Sequence, residues 1–163
     1  VARGRGARVL LVEPDPFRRS VAAGIGIDAV DPGATDVPAL VDERTAGAGA
    51  DVAFEVSGSA AGVTTAVDVL TTRGRLVMVA IHPQPRPVNL HRFFWRELEL
   101  LGARLYQRED MVEAVRLVAS GAIPARQLIS RVVPADAVTA AFTALEEGGG
   151  VMKVLLDWQE ESR

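Results

Sequence analysis

The sequence predicts an α/β protein built on a doubly wound parallel sheet, with a short α/β tail at its C-terminal end. Three observations carry this prediction. Short β-like runs alternate with amphipathic helical runs along the whole chain, the pattern of βαβ units. The most apolar run, residues 75–81, does not alternate polar and apolar, as expected of a strand buried on both faces of a parallel sheet. Helix-start signals with an acidic cap, Asp15-Pro16 and Asp36, follow the early β runs.

Residues 8–12 form a β-like run with Glu13 at its end. Just before it, Gly4-Arg5-Gly6 reads as the end of a helix and the turn into this strand. Asp15 caps a helix carrying Phe17, Val21 and Ala22, which stops near Gly24 or Gly26. Residues 27–30 are a short strand closed by Asp31-Pro32. Asp36 caps a helix with Val37, Leu40 and Val41 on one face, ended by Gly47 and Gly49. Residues 51–57 read as a strand, and 60–72 as a helix with Val63, Val67 and Leu70 at helical spacing and Gly74 as its stop. After the strand 75–81 comes a loop with Pro83, Pro85 and Pro87. A strand runs from Leu98 to Leu105, followed by a helix capped by Asp110, with Glu113 completing a capping box, and ended by Gly121. In the tail, 128–133 is a strand, 134–147 a helix and 151–158 a strand. The glycines 148–150 connect the last two and are no phosphate loop, because no helix follows them.

Composition narrows the function classes. The 163 residues correspond to about one domain, large enough to bury ~70% of the unfolded surface. Hydrophobic residues at 48% and charged residues at 24% describe a globular chain. A formal net charge of -3 gives no electrostatic reason to expect nucleic acid or an anionic membrane as partner. The absence of cysteine excludes a disulfide scaffold, a thiol nucleophile and a cysteine-ligated zinc within these residues. Apolar runs fall far short of the ~20 residues of a membrane helix, and no signal peptide is visible. The first residue is Val, not Met, which hints at an incomplete reading frame.

Glu13 is the sharpest chemical feature. An acid at the end of an early strand accepts both hydroxyls of an adenosine ribose and repels a 2′-phosphate, which favours NAD over NADP. The plain alternative is a solvated acid at a strand edge. Arg18 and Arg19, on the next helix, either flank the adenine or solvate the helix face. The glycine fingerprint expected before such a strand is not in the chain. His82 reads first as a loop histidine, with a catalytic role as the alternative. His91 precedes Arg92, Phe93, Phe94 and Trp95, a packing or subunit-contact cluster. Two histidines without an acidic pair at ligand spacing make no zinc site.

The ordered segments carry a resemblance. The run from Gly6 to Arg19 (GARVLLVEPDPFRR) resembles the second strand of the zinc-containing medium-chain alcohol dehydrogenases. Asp51 to Gly58 (DVAFEVSG) resembles their fourth, Arg73 to Ile81 (RGRLVMVAI) their fifth, Arg96 to Ala103 (RELELLGA) their sixth, and Gly150 to Leu156 their C-terminal strand. Within the family the chain is most similar to the butanediol and sorbitol dehydrogenases. The resemblance implies an incomplete Rossmann-type sheet missing its first, central strand, whose loss would leave two half-sheets with unpaired, buried edges. It implies a partial NAD-binding domain over 1–124, and a segment 125–163 that returns to an absent N-terminal catalytic domain. It implies that Glu13 holds the ribose and Arg18 lies beside the adenine. Val56, Ser57 and Gly58 pass under the nicotinamide. Val79, Ala80 and Ile81 meet the carboxamide through backbone groups, and Lys153 reaches the pyrophosphate or is a solvated strand lysine.

No catalytic residue and no metal ligand is expected in this chain; zinc and its ligands belong to the absent domain. The implied enzyme is cytoplasmic, passes hydride from a secondary alcohol or diol to NAD, and dimerises through the strand from Leu98 to Leu105. The isolated chain is expected to be inactive. Two alternatives stay open: a non-catalytic remnant or dimerisation module, and a zinc-free, NADPH-dependent quinone or enone reductase, which the charge of Glu13 opposes.

Overall fold

A computed structural model of the chain describes residues 1–148 and 150–158. A 3-10 turn at Arg3–Arg5 closes on Gly6 in the left-handed region and leads into strand β1, Leu10–Val12. Helix α1, Pro16–Gly24, starts where Asp15 accepts the Arg18 amide at 3.0 Å, with proline at the first position where its missing N–H costs nothing. Strand β2 is Asp28–Val30, and helix α2, Val37–Thr45, is capped in the same way by Asp36 on the Ala39 amide at 3.0 Å. Strand β3, Ala50–Glu55, is followed by helix α3, Ala60–Asp68, and strand β4, Leu70–Met78. Helix α4 is Leu90–Arg96 and strand β5 is Glu99–Gly102. The remaining elements are α5, Arg108–Ala119; α6, Ala125–Leu128; β6, Arg131–Pro134; α7, Val138–Glu147; and β7, Val154–Asp157.

All described pairings are parallel, as predicted, and they form three sheets: β1-β2, β3-β4-β5 and β6-β7. Neither β1 nor β3 has a second strand neighbour among the described residues. The chain forms two compact units, one from residues 1–34 with those from 107 onward, the other from 35–106. In the second unit the core is Val67, Leu70 and Leu76, with Ala53, Met78, Phe93 and Leu98 packed against it. Helices α3 and α4 therefore cover the Leu76 face of the sheet. Among the described residues, no helix is long and apolar enough to cross a membrane.

Several expectations from the sequence are corrected. The helix read over 60–72 ends at Asp68, and Leu70, Thr71 and Thr72 already belong to β4. Gly74 is a buried strand residue: a Cβ there would lie 2.9 Å from the Thr71 carbonyl oxygen. The chain bulges here, with Arg73 at φ 62° and the β3-β4 register shifting between Ala50 and Val52. The 82–97 stretch, read without an element, contains α4. Asn89 caps it on the Arg92 amide, Phe93 enters the core, and Arg92 pairs with Asp68 at 2.9 Å. Helix α5 begins at Arg108. Asp110 is its third residue, accepting the Gln107 amide at 2.8 Å, and Glu113 pairs instead with Arg116.

The strand 75–81 is not covered on both faces within its unit. Register sets Phe54, Val77 and Leu101 side by side on the face opposite Leu76. Phe54 is 59% exposed and Leu101 43% exposed.

Candidate cofactor site

Glu13 leaves β1 just before the α1 cap. Its amide donates to the Val30 carbonyl, which anchors it across the sheet. Its Oε1 accepts the Asp15 amide at 2.9 Å, and its Oε2 lies 4.0 Å from Arg18 Nη1. Arg19 instead ties this turn together: it donates to the Glu13 carbonyl at 2.8 Å and pairs with Asp31 at 3.1 Å. The Glu13 side chain is 19% exposed. One oxygen is thus committed to its own backbone, and the other faces only a loose ion pair. That is the arrangement a carboxylate needs to accept a hydroxyl from outside the chain.

The second cluster sits where β3 and β4 end. Glu55 is buried, with its side chain 1% exposed. It accepts the Ser57 amide at 2.9 Å, the Ser57 hydroxyl at 2.5 Å, the Gly58 amide at 3.1 Å and His82 Nε2 at 2.9 Å. Burial pushes its carboxyl up. The Ser57 hydroxyl and amide, the His82 ring and the Gly58 amide outweigh that and hold it below the ordinary glutamate range. Gly62, in the first turn of α3, makes room for this, since a Cβ there would lie 2.8 Å from Glu55 Oε1. Gly58 has φ 70°, and a Cβ there would come within 3.0 Å of the Ile81 carbonyl oxygen. The amides of Val79 and Ala80 both donate to the Glu55 carbonyl, at 2.9 and 3.1 Å. The 55–58 turn and the 79–82 segment are thereby held together, and Val56, Val79 and Ile81 are exposed beside them.

A family model described as zinc-binding dehydrogenase matches residues 1–120. The chain belongs to the zinc-binding dehydrogenase family. It is 43% identical over 161 residues to 2-dehydro-3-deoxy-L-galactonate 5-dehydrogenase of Pseudoalteromonas atlantica, covering 99% of this chain and 47% of that enzyme. It is 30% identical over 138 residues to (R,R)-butanediol dehydrogenase of Neisseria gonorrhoeae, covering 83% of this chain and 39% of the relative. Among solved structures, 2R,3R-butanediol dehydrogenase from Bacillus subtilis matches with a TM-score of 0.88 at 28% identity, over 97% of this chain and 46% of that one. The chain spans about half the length of these relatives.

In this zinc-binding dehydrogenase chain the residues named from sequence fall into two groups and a single. Glu13 and Arg18 face each other at the end of β1. Val56, Ser57 and Gly58 meet Val79, Ala80 and Ile81 at the ends of β3 and β4. Lys153 precedes β7, exposed, with its backbone carbonyl accepting the Ser130 amide at 2.8 Å. Of the backbone groups of Val79, Ala80 and Ile81, the Val79 and Ala80 amides donate to the Glu55 carbonyl. Sequence reasoning missed Glu55 and its pairing with His82. The signal was present as an acid two residues before Ser57-Gly58. Among the described residues no three His, Asp or Glu side chains converge as metal ligands.

Proposed function

We propose that this chain is the NAD-binding portion of a zinc-dependent, cytoplasmic alcohol or polyol dehydrogenase that passes hydride from a secondary alcohol or diol to NAD. In that enzyme residues 1–124 belong to the cofactor domain and 125–163 return to the catalytic domain, where zinc is held. The observation that carries the reading is the Glu13 carboxylate, with Oε1 committed to the Asp15 amide and Oε2 only 4.0 Å from Arg18. A ribose hydroxyl satisfies Oε2, whereas a 2′-phosphate beside it would be repelled. The exposed Val56, Val79 and Ile81 offer an apolar platform for the nicotinamide side of the cofactor. Bound NAD supplies the hydride acceptor, and this chain's residues orient it. The 43% identity to an enzyme named for a galactonate favours a polyhydroxy acid among the candidate alcohols.

Calorimetric titration with NAD and NADP at equal ionic strength tests the reading. NAD is expected to bind more tightly, and tighter NADP binding overturns it. The reading also pairs two copies through β5, whose Leu100, Leu101 and nearby Leu105 are exposed and which has a strand neighbour, β4, on one edge. Light scattering after size exclusion tests this, and a monomer at high concentration refutes it.

A further inference from the structure

Beside α3, on the side of the 79–82 segment, lies a cavity of about 430 Å³. Val63, Met78 and Val88 form its apolar wall, and His82, Gln84 and Arg86 supply polar groups. Among the described residues, His82 Nδ1 and Arg86 Nε are buried and have no hydrogen-bond partner. Both residues line this one cavity. Buried polar nitrogens left unpaired are rare and costly, and two beside one cavity mark a place where a small side-chain movement lets a ligand complete the bonding.

We propose that this cavity binds the carboxylate end of a hydroxy-acid substrate through Arg86, with His82 beside it; the proposal rests on the dehydrogenase reading above. Among the described residues, Arg86 is the one cationic side chain of the cavity lining, and no carboxylate lines it. Glu55 is spent on the Ser57 and Gly58 amides, the Ser57 hydroxyl and His82. No carboxylate among the described residues pairs with Arg86, whose Nη2 reaches only the Gly58 carbonyl oxygen at 3.5 Å. A guanidinium with Nε free presents a side-on fork that fits a planar carboxylate. Glu55 accepts from His82 Nε2–H, which leaves Nδ1 of the neutral ring to accept from a hydroxyl of the acid. The loop itself is stiffened by Pro83, Pro85 and Pro87, so the two groups are set before a ligand arrives. The apolar wall suits the carbon chain that follows the acid group. His82 directly follows Ile81, and Arg86 touches Gly58, so the cavity adjoins the segments assigned to the nicotinamide.

The chain has two histidines, so imidazole NMR resolves His82 from His91. The full chain is titrated with D-gluconate, with D-sorbitol and with inorganic phosphate at constant ionic strength. Gluconate is expected to move the His82 ring signals saturably and leave those of His91 in place, while sorbitol at the same concentration moves neither. Arg86→Gln is expected to weaken the gluconate response at least about tenfold. If Arg86→Gln fails to fold, Arg86→Lys, which keeps the charge but loses the fork, is expected to weaken it as well. No His82 response to gluconate overturns the proposal. So does an equal response to sorbitol, a stronger response to phosphate, or an unchanged response in the folded Arg86 variant. NAD binding measured on the same samples separates the two readings: no gluconate response in the native chain with NAD binding intact overturns this proposal alone.

Discussion

Two glutamates end parallel strands in this chain, and they do opposite things. Glu13 and Glu55 each turn back to accept the amide two residues on, at 2.9 Å in both cases. Glu13 stops there, with its side chain 19% exposed and its second oxygen in a loose contact with Arg18. Glu55 is 1% exposed and accepts from a hydroxyl, a second amide and a ring nitrogen as well. The same local motif thus yields a carboxylate with capacity left for a ligand in one place and a structural clasp in the other. Burial makes the difference, because a buried charge survives only where the chain itself satisfies it.

The largest expected effect breaks that clasp. Glu55→Ala leaves two amides, a hydroxyl and His82 without their shared acceptor and should cost about 3–5 kcal/mol in urea unfolding. Glu13→Ala should cost about 1 kcal/mol or less, and equal costs at the two sites would dissolve the contrast. The pH dependence sharpens it. The folded Glu55 carboxyl lies below the ordinary value of about 4.3 expected when unfolded. Its stabilisation is therefore fully present above that value and is lost as pH falls through the lower folded value. The stability difference between the native chain and Glu55→Gln should be flat above about pH 5.5 and shrink below about pH 4 in acid titrations followed by circular dichroism. A difference that grows on acidification would contradict the sign.

At the open end of the comparison, Glu13→Gln should weaken NAD binding about tenfold in calorimetry and narrow the preference against NADP, with little change in melting temperature. An unchanged NAD affinity would make Glu13 a plain solvated acid. The smallest effect is at the helix start next to it. Asp15→Ala removes the cap on the Arg18 amide and should cost about 1 kcal/mol in thermal unfolding.

Much of this was legible in the residues. The Asp15 and Asp36 caps announce α1 and α2 because a cap acts on an amide three positions away and needs no other element. The Gly4-Arg5-Gly6 turn is equally local. Where reading failed, the deciding contact was distant. Val67 and Leu70 look like one helical face, yet Val67 lies in the last turn of α3 and Leu70 opens β4, both around Leu76. Helix α4 is short and crowded with aromatics, and it is held by Phe93 in the core and by Arg92 on Asp68.

The sequence by itself determined the alternation of strands and helices apart from α4 and α6, the parallel sense of the strands and the acid at the end of β1, because alternation, capping and strand-end chemistry are short-range. Only the tertiary structure decided that Glu55 is a clasp, that His82, 27 residues away, is its partner, and that Arg86 keeps a buried nitrogen unpaired. Those outcomes depend on which groups a folded chain brings together and shields from water, and neither distance nor burial is written in the spacing of residues.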